Sequence, residues 1–143
     1  MHWFDLATLF LVATLLGVEF SVSAFINPAA GRLEPEAQLR FLHHSASVGG
    51  RVMPIWYSAC TVVLGIQTWL HWHTPGRALL LAVDAIWIII SLLSIFFLVP
   101  LNNRMIQGVP DWKRILRTWD KVHRVRIAAV ALAAILLMHA LVC

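Results

Sequence analysis

The sequence predicts an all-α integral membrane protein, a four-helix bundle, and three observations carry that prediction. First, 60% of the 143 residues are hydrophobic and only 13% are charged, against roughly 45–50% apolar content in an average soluble domain. A water-soluble fold this small could not hide so much apolar surface. Second, the apolar residues fall into four continuous runs near the length of about 20 residues that crosses the hydrocarbon. Third, the charges cluster at the ends of those runs.

The first run spans about 4–26 and is closed by Asn27-Pro28. The second spans about 52–70, after Gly49-Gly50 and with Met53-Pro54 at its opening. His73-Thr74-Pro75-Gly76 supplies turn chemistry, so the third run, about 78–99, returns antiparallel and stops at Pro100. The fourth spans about 127–142. The runs are apolar all round, as expected of membrane spans, and lack the strand alternation of a barrel. Few residues remain for a second unit, so 1–143 reads as a single transmembrane domain. The start has neither a basic n-region nor a small-residue cleavage site, so the first run is expected to remain as a span.

Charge predicts orientation. Of eleven Lys and Arg, Arg32, Arg40 and Arg51 fall in or beside the first connection. Arg104, Lys113, Arg114, Arg117, Lys121, Arg124 and Arg126 fall in or beside the third, leaving Arg77 alone on the other side. The positive-inside rule places both long connections in the cytoplasm, across the inner membrane in a bacterium, and both termini outside. Trp3, Trp69 and Trp72 fit an outer aromatic belt, Trp112 and Trp119 an inner one. The net charge of +4 is thus a topology signal, and no nucleic-acid partner is expected. Cys60 and Cys143 make neither a metal spacing nor a disulfide framework, although Cys143 is placed to crosslink chains. The spans lack a strong Gly-x-x-x-Gly motif, leaving a homo-oligomer open.

The two halves share an order: an inward span, an Asn, a polar connection, a His, an Arg and an outward span. Asn27, His44 and Arg51 mark the first half; Asn102, His123 and Arg126 mark the second. Two pseudo-repeated helical hairpins would put a site between the halves.

Ionisable groups within spans are expensive and mark candidate sites. Glu19 lies about eight residues, roughly 12 Å, from the inner end of its helix. It needs a proton or a cation, and Arg51 and Arg126 are placed to supply one; a structural ion pair is as good an account as a functional one. Trp119, His123 and Arg126 at i, i+4 and i+7 share a helix face, with Asp120, Lys121 and Arg124 directed elsewhere. Asn102 and Asn103 reach the same depth. With His44, Asn27 and Arg51, these groups can bind a polar head, polarise a carbonyl or move a proton; interfacial anchoring is the simpler alternative. On the outer side, His71, His73, His139 and His2, with Asp84 and Gln67 deeper, form a candidate copper, zinc or iron site. His44 and His123, one from each half, are the candidate axial pair for a haem.

The stretch Val99-Pro100-Leu101-Asn102-Asn103-Arg104, followed by Trp119, His123 and Arg126, resembles the anthrone oxygenase-like family of small four-span membrane proteins, most of them of unknown function. Gly17-Val18-Glu19-Phe20 leading to Asn27-Pro28, and Met53-Pro54, extend the resemblance over nearly the whole chain. It implies an oxidoreductase that oxidises a lipophilic aromatic or quinone-like compound with molecular oxygen and needs no classical cofactor. His123, Arg126 and Glu19 would be catalytic, with Asn102, Trp119 and Asn27 in the pocket; His123 would remove a substrate proton, and Arg126 and Asn102 would hold the oxyanion. His43-His44 and the outer histidines depart from the pattern and leave room for a metal- or haem-binding redox protein. The third alternative is a non-catalytic subunit or small-molecule carrier, in which Glu19 and Asp84 are structural contacts.

Overall fold

The computed structural model describes residues 2–142; the expected crosslinking residue Cys143 lies outside them. The described residues are helical and contain no strand. Helix α1 runs Trp3–Ser21, passes into a π-helical stretch at Val22–Ile26, and ends in the short α2, Asn27–Ala30. Helix α3 runs Pro35–Leu70. Helix α4, Arg77–Leu93, passes into a second π stretch, Ser94–Leu98, and then into α5, Val99–Ile106. Helix α6 closes the chain over Trp112–Val142.

Three continuous helical units are long and apolar enough to cross a membrane: Trp3–Ala30, Arg77–Ile106 and Trp112–Val142. With large apolar side chains such as Phe10, Phe25, Ile89, Phe96 and Ile135 turned outward, they make this an integral membrane protein. The fourth long helix, α3, is apolar only in its second half.

The four long helices form a ring. α1 touches α3 and α6, and α4 touches the same two, so α1 faces α4 and α3 faces α6 across the interior. Buried positions recur with alternating spacings of three and four: Asp5, Thr8, Val12, Leu15 and Glu19 on α1; Leu80, Val83, Trp87 and Ile90 on α4; His123, Arg126, Val130, Ala133, Leu137 and Ala140 on α6. That is the period of a packed seam between slightly inclined helices. At one end, Gly76 lets α4 start against α6, because a Cβ there would collide with the backbone carbonyl of Ala140. At the other, Gly108, with φ of 65°, takes the left-handed conformation glycine allows and turns the chain into α6.

Two boundaries differ from the sequence expectation. Gly49-Gly50 does not open a helix: α3 begins at Pro35 and runs straight through both glycines and Pro54. The long connections are correspondingly helical. Leu42 of α3, Met105 of α5 and Ile115 of α6 pack into a second, smaller core, which compensates glycine's weak helix propensity.

Candidate functional site

The bundle interior carries one buried polar cluster to which all four long helical units contribute. Glu19 enters from the α1 seam, three residues before the first π stretch, and is 2% exposed. His123 and Arg126 enter from successive α6 seam positions, 1% and 8% exposed. Arg126 Nη2 donates to Glu19 Oε2 at 2.6 Å, and Nη1 donates to the Ser94 hydroxyl, the first residue of the second π stretch, at 3.1 Å. The hydroxyl of Tyr57 on α3 donates to Glu19 Oε1 at 3.1 Å, and the Arg126 guanidinium lies 5.2 Å from the centre of that tyrosine ring.

His123 is held on both ring nitrogens. Nε2 lies 3.1 Å from the backbone carbonyl of Glu19, which can only accept, so Nε2 carries the hydrogen. Nδ1 sits 3.2 Å from Glu19 Oε2 and 3.1 Å from Arg126 Nη2. A neutral ring accepts there from the guanidinium; a protonated one donates to the carboxylate. Trp119 stacks on the imidazole, centroids 4.5 Å apart and planes 20° from parallel. A charge pair this deep survives because each partner neutralises the other and further polar atoms satisfy both. One donor stands out: among the described residues, the buried Arg126 Nε has no hydrogen-bond acceptor.

One turn earlier on α6, Asp120 accepts from Ser23 Oγ at 3.1 Å, from Asn27 Nδ2 at 3.0 Å and from Arg124 Nε at 2.8 Å. This ties the first π stretch and α2 to α6 below the buried pair. Toward the short turn, buried Asp5 accepts from Gln67 and from the His2 backbone amide, with His71 Nε2 3.9 Å away. Thr68 donates to Asp84 at 2.7 Å between α3 and α4.

The structure therefore joins Glu19, Trp119, His123 and Arg126, and leaves other candidates apart. Arg51 points away and bonds Ser47 one turn back on its own helix; only Arg126 reaches Glu19. Asn27 serves the Asp120 contact, while Asn102 is half-buried on α5 and has no hydrogen bond to the pair. His44 is exposed and meets His43 edge-on at 5.7 Å, and His43 in turn lies 3.3 Å from the Ile106 carbonyl. His44 cannot share an axial pair with His123, whose ring nitrogens are already engaged. The metal-binding expectation is corrected too. Of its histidines, His71 lies beside Asp5, His2 contributes a backbone amide there, and His73 and His139 are exposed. Among the described residues no three His, Cys, Asp or Glu side chains gather as a ligand set.

Tyr57 and Ser94 escaped the sequence reading. Both continue the three–four alternation of their helices: Tyr57 before Cys60, Leu64 and Gln67, Ser94 after Val83, Trp87 and Ile90. Extending the seam into polar positions would have found them.

Curated proteins similar to this chain are transporters by name. The threonine/homoserine exporter RhtA of Salmonella typhimurium (strain LT2) is 34% identical over 86 residues, covering 57% of this chain and 29% of the exporter. The exporter of the same name from Escherichia coli (strain K12) is 33% identical over 84 residues, covering 56% and 28%. The chain thus spans less than a third of the length of the curated relatives it matches. No protein-family model matches the chain, and no solved structure does. These relatives overturn the anthrone oxygenase-like resemblance, whose short motifs are generic to polar helix ends. The membrane oxidoreductase acting on an aromatic or quinone-like compound falls with it.

Proposed function

We propose that the chain is a non-catalytic membrane carrier for a small polar molecule of the amino-acid kind, with the Glu19–Arg126–His123 cluster as its binding centre. The observation that carries this reading is the cluster itself: an ion pair at the middle of a bundle, contacted from all four long helical units. Ionisable groups at such depth are costly and typically mark substrate or ion pathways. The relatives' name, an exporter of threonine and homoserine, supplies the cargo class.

The backbone around the pair favours the same reading. Irregular backbone at membrane depth is tolerated where it is buried or lines a cavity, and transporters place binding groups at such breaks. Here both π stretches are five residues long, each runs up to an Xaa-Pro pair, and each supplies or adjoins a contact to the pair. Such stretches recur at functional sites. In this arrangement the apolar half of α3, about 52–70, crosses as a fourth span, since its exposed Ile55 and Val62 continue the outward apolar surface. The Lys- and Arg-rich connections lie in the cytoplasm, and both termini lie outside.

The test is transport by purified protein in proteoliposomes loaded with radiolabelled L-threonine or L-homoserine. The proposal expects release faster than from protein-free vesicles, with the cargo chemically unchanged. It further expects Glu19→Gln to slow release by roughly tenfold or more while the protein still reconstitutes. Well-inserted protein that leaves both amino acids trapped would reject the carrier.

A further inference from the structure

Arg126 presents its guanidinium to Glu19 unevenly. The edge carrying Nε–H and Nη2–H matches the two oxygens of one carboxylate, yet Glu19 uses half of it: Oε2 takes Nη2, while Oε1 turns to the Tyr57 hydroxyl. Nε is left buried with no acceptor among the described residues. An unpaired donor at this depth costs the full loss of its hydration. Every other polar atom named in the cluster has a partner.

We infer that the open Nε edge of Arg126 is the docking point for a carboxylate of the cargo, and that the cargo is a zwitterion whose ammonium pairs with Glu19. This rests on the carrier reading above. Charge accounting selects the zwitterion. With His123 neutral, the cluster sums to zero, one carboxylate against one guanidinium. A lone carboxylate would leave a net negative charge buried, and a lone amine a net positive one. A zwitterion keeps the sum at zero and sets four charges in alternation, the arrangement that best offsets desolvation. The hydroxyls of Tyr57 and Ser94, already bonded to Glu19 and Arg126, can hold the protein groups in place as the pair opens.

The deciding experiment is equilibrium binding to the full chain in mild detergent, with three probes of one carbon skeleton. These are L-threonine, the amino alcohol that lacks its carboxylate, and the hydroxy acid that lacks its ammonium. The inference expects threonine to bind at least roughly tenfold more tightly than either. It expects Arg126→Lys, which keeps the charge and loses the Nε edge, to bring threonine down to the level of the amino alcohol. An amino alcohol binding as tightly as threonine, or no binding by any probe, overturns the inference. If Arg126→Lys fails to fold, the three probes on the unaltered chain still decide. The carrier reading fails separately: threonine preference without flux in proteoliposomes keeps the docking point and rejects carriage, whereas flux without that preference keeps carriage and rejects the docking point.

Discussion

Glu19 and Arg126 are each untenable without the other. Their Oε2 to Nη2 contact of 2.6 Å is buried, and removing one member of such a pair typically costs about 3–5 kcal/mol because the survivor keeps its charge without compensation. Glu19→Gln and Arg126→Met should therefore each lower the unfolding midpoint in detergent by an amount near that range. The double variant should recover most of the loss, having no charge left to strand. Losses in the double variant equal to the sum of the singles would show that the two residues are not coupled. Tyr57→Phe should cost only about 1 kcal/mol, the worth of one ordinary hydrogen bond. At this scale much of the site was legible in the sequence. Glu19 announced itself by being ionisable within an apolar run, and Trp119, His123 and Arg126 by their spacing. Arg51 and His44 were misplaced for a physical reason. Apolar counting gives the depth of a residue but not the phase of its helix, and α3 turns both side chains away from the interior.

The two π stretches put the binding groups where regular helices could not. A π stretch accommodates an extra residue in a helix and rotates everything before it relative to everything after. In the first unit this aims Glu19 at α6 while Ser23 and Asn27 still meet Asp120. In the second it lets Ser94 face Arg126. Deleting one residue from the second stretch, such as Phe96, should restore α-helical bonding and turn Val99–Ile106 by about 100° against α4. The variant is expected to insert with unchanged helical content by circular dichroism, while transport in proteoliposomes falls at least roughly tenfold. Unaltered transport would show that the stretch is incidental to the site. Nothing in composition marks these stretches, since Val22–Ile26 and Ser94–Leu98 read as ordinary apolar segments. Only the Xaa-Pro pairs that follow them were visible, and those read as helix ends rather than as the continuation into α2 and α5.

The whole molecule is a ring of four helices whose polar ends are unequal, and its insertion follows from that inequality. The end bearing the connections at 31–34 and 107–111 holds nearly all the Lys and Arg, whereas the turn at 71–76 adjoins Arg77 alone. Apolar character by itself marks only Trp3–Ala30, Arg77–Ile106 and Trp112–Val142 as spans, because α3 spends its first half in polar residues. Packing argues for the fourth crossing: α3 completes the ring by touching both α1 and α4. The two arrangements differ in which exposed positions share a side. With four crossings, Leu33 and Gln107 lie together in the cytoplasm and Thr74 lies outside. If α3 did not cross, Leu33 and Thr74 would share a side and Gln107 would lie opposite. Single cysteines introduced as Leu33→Cys, Thr74→Cys and Gln107→Cys, in a chain with Cys60 and Cys143 replaced by serine, distinguish them with a membrane-impermeant maleimide on intact cells. Labelling of Thr74→Cys alone is expected. Labelling of Leu33→Cys together with Thr74→Cys would remove the fourth span, and with it the position of Tyr57 beside the buried pair. Labelling of Leu33→Cys and Gln107→Cys without Thr74→Cys would keep the bundle but invert it, because the pairing of sides depends on the helices while its direction depends on charge alone.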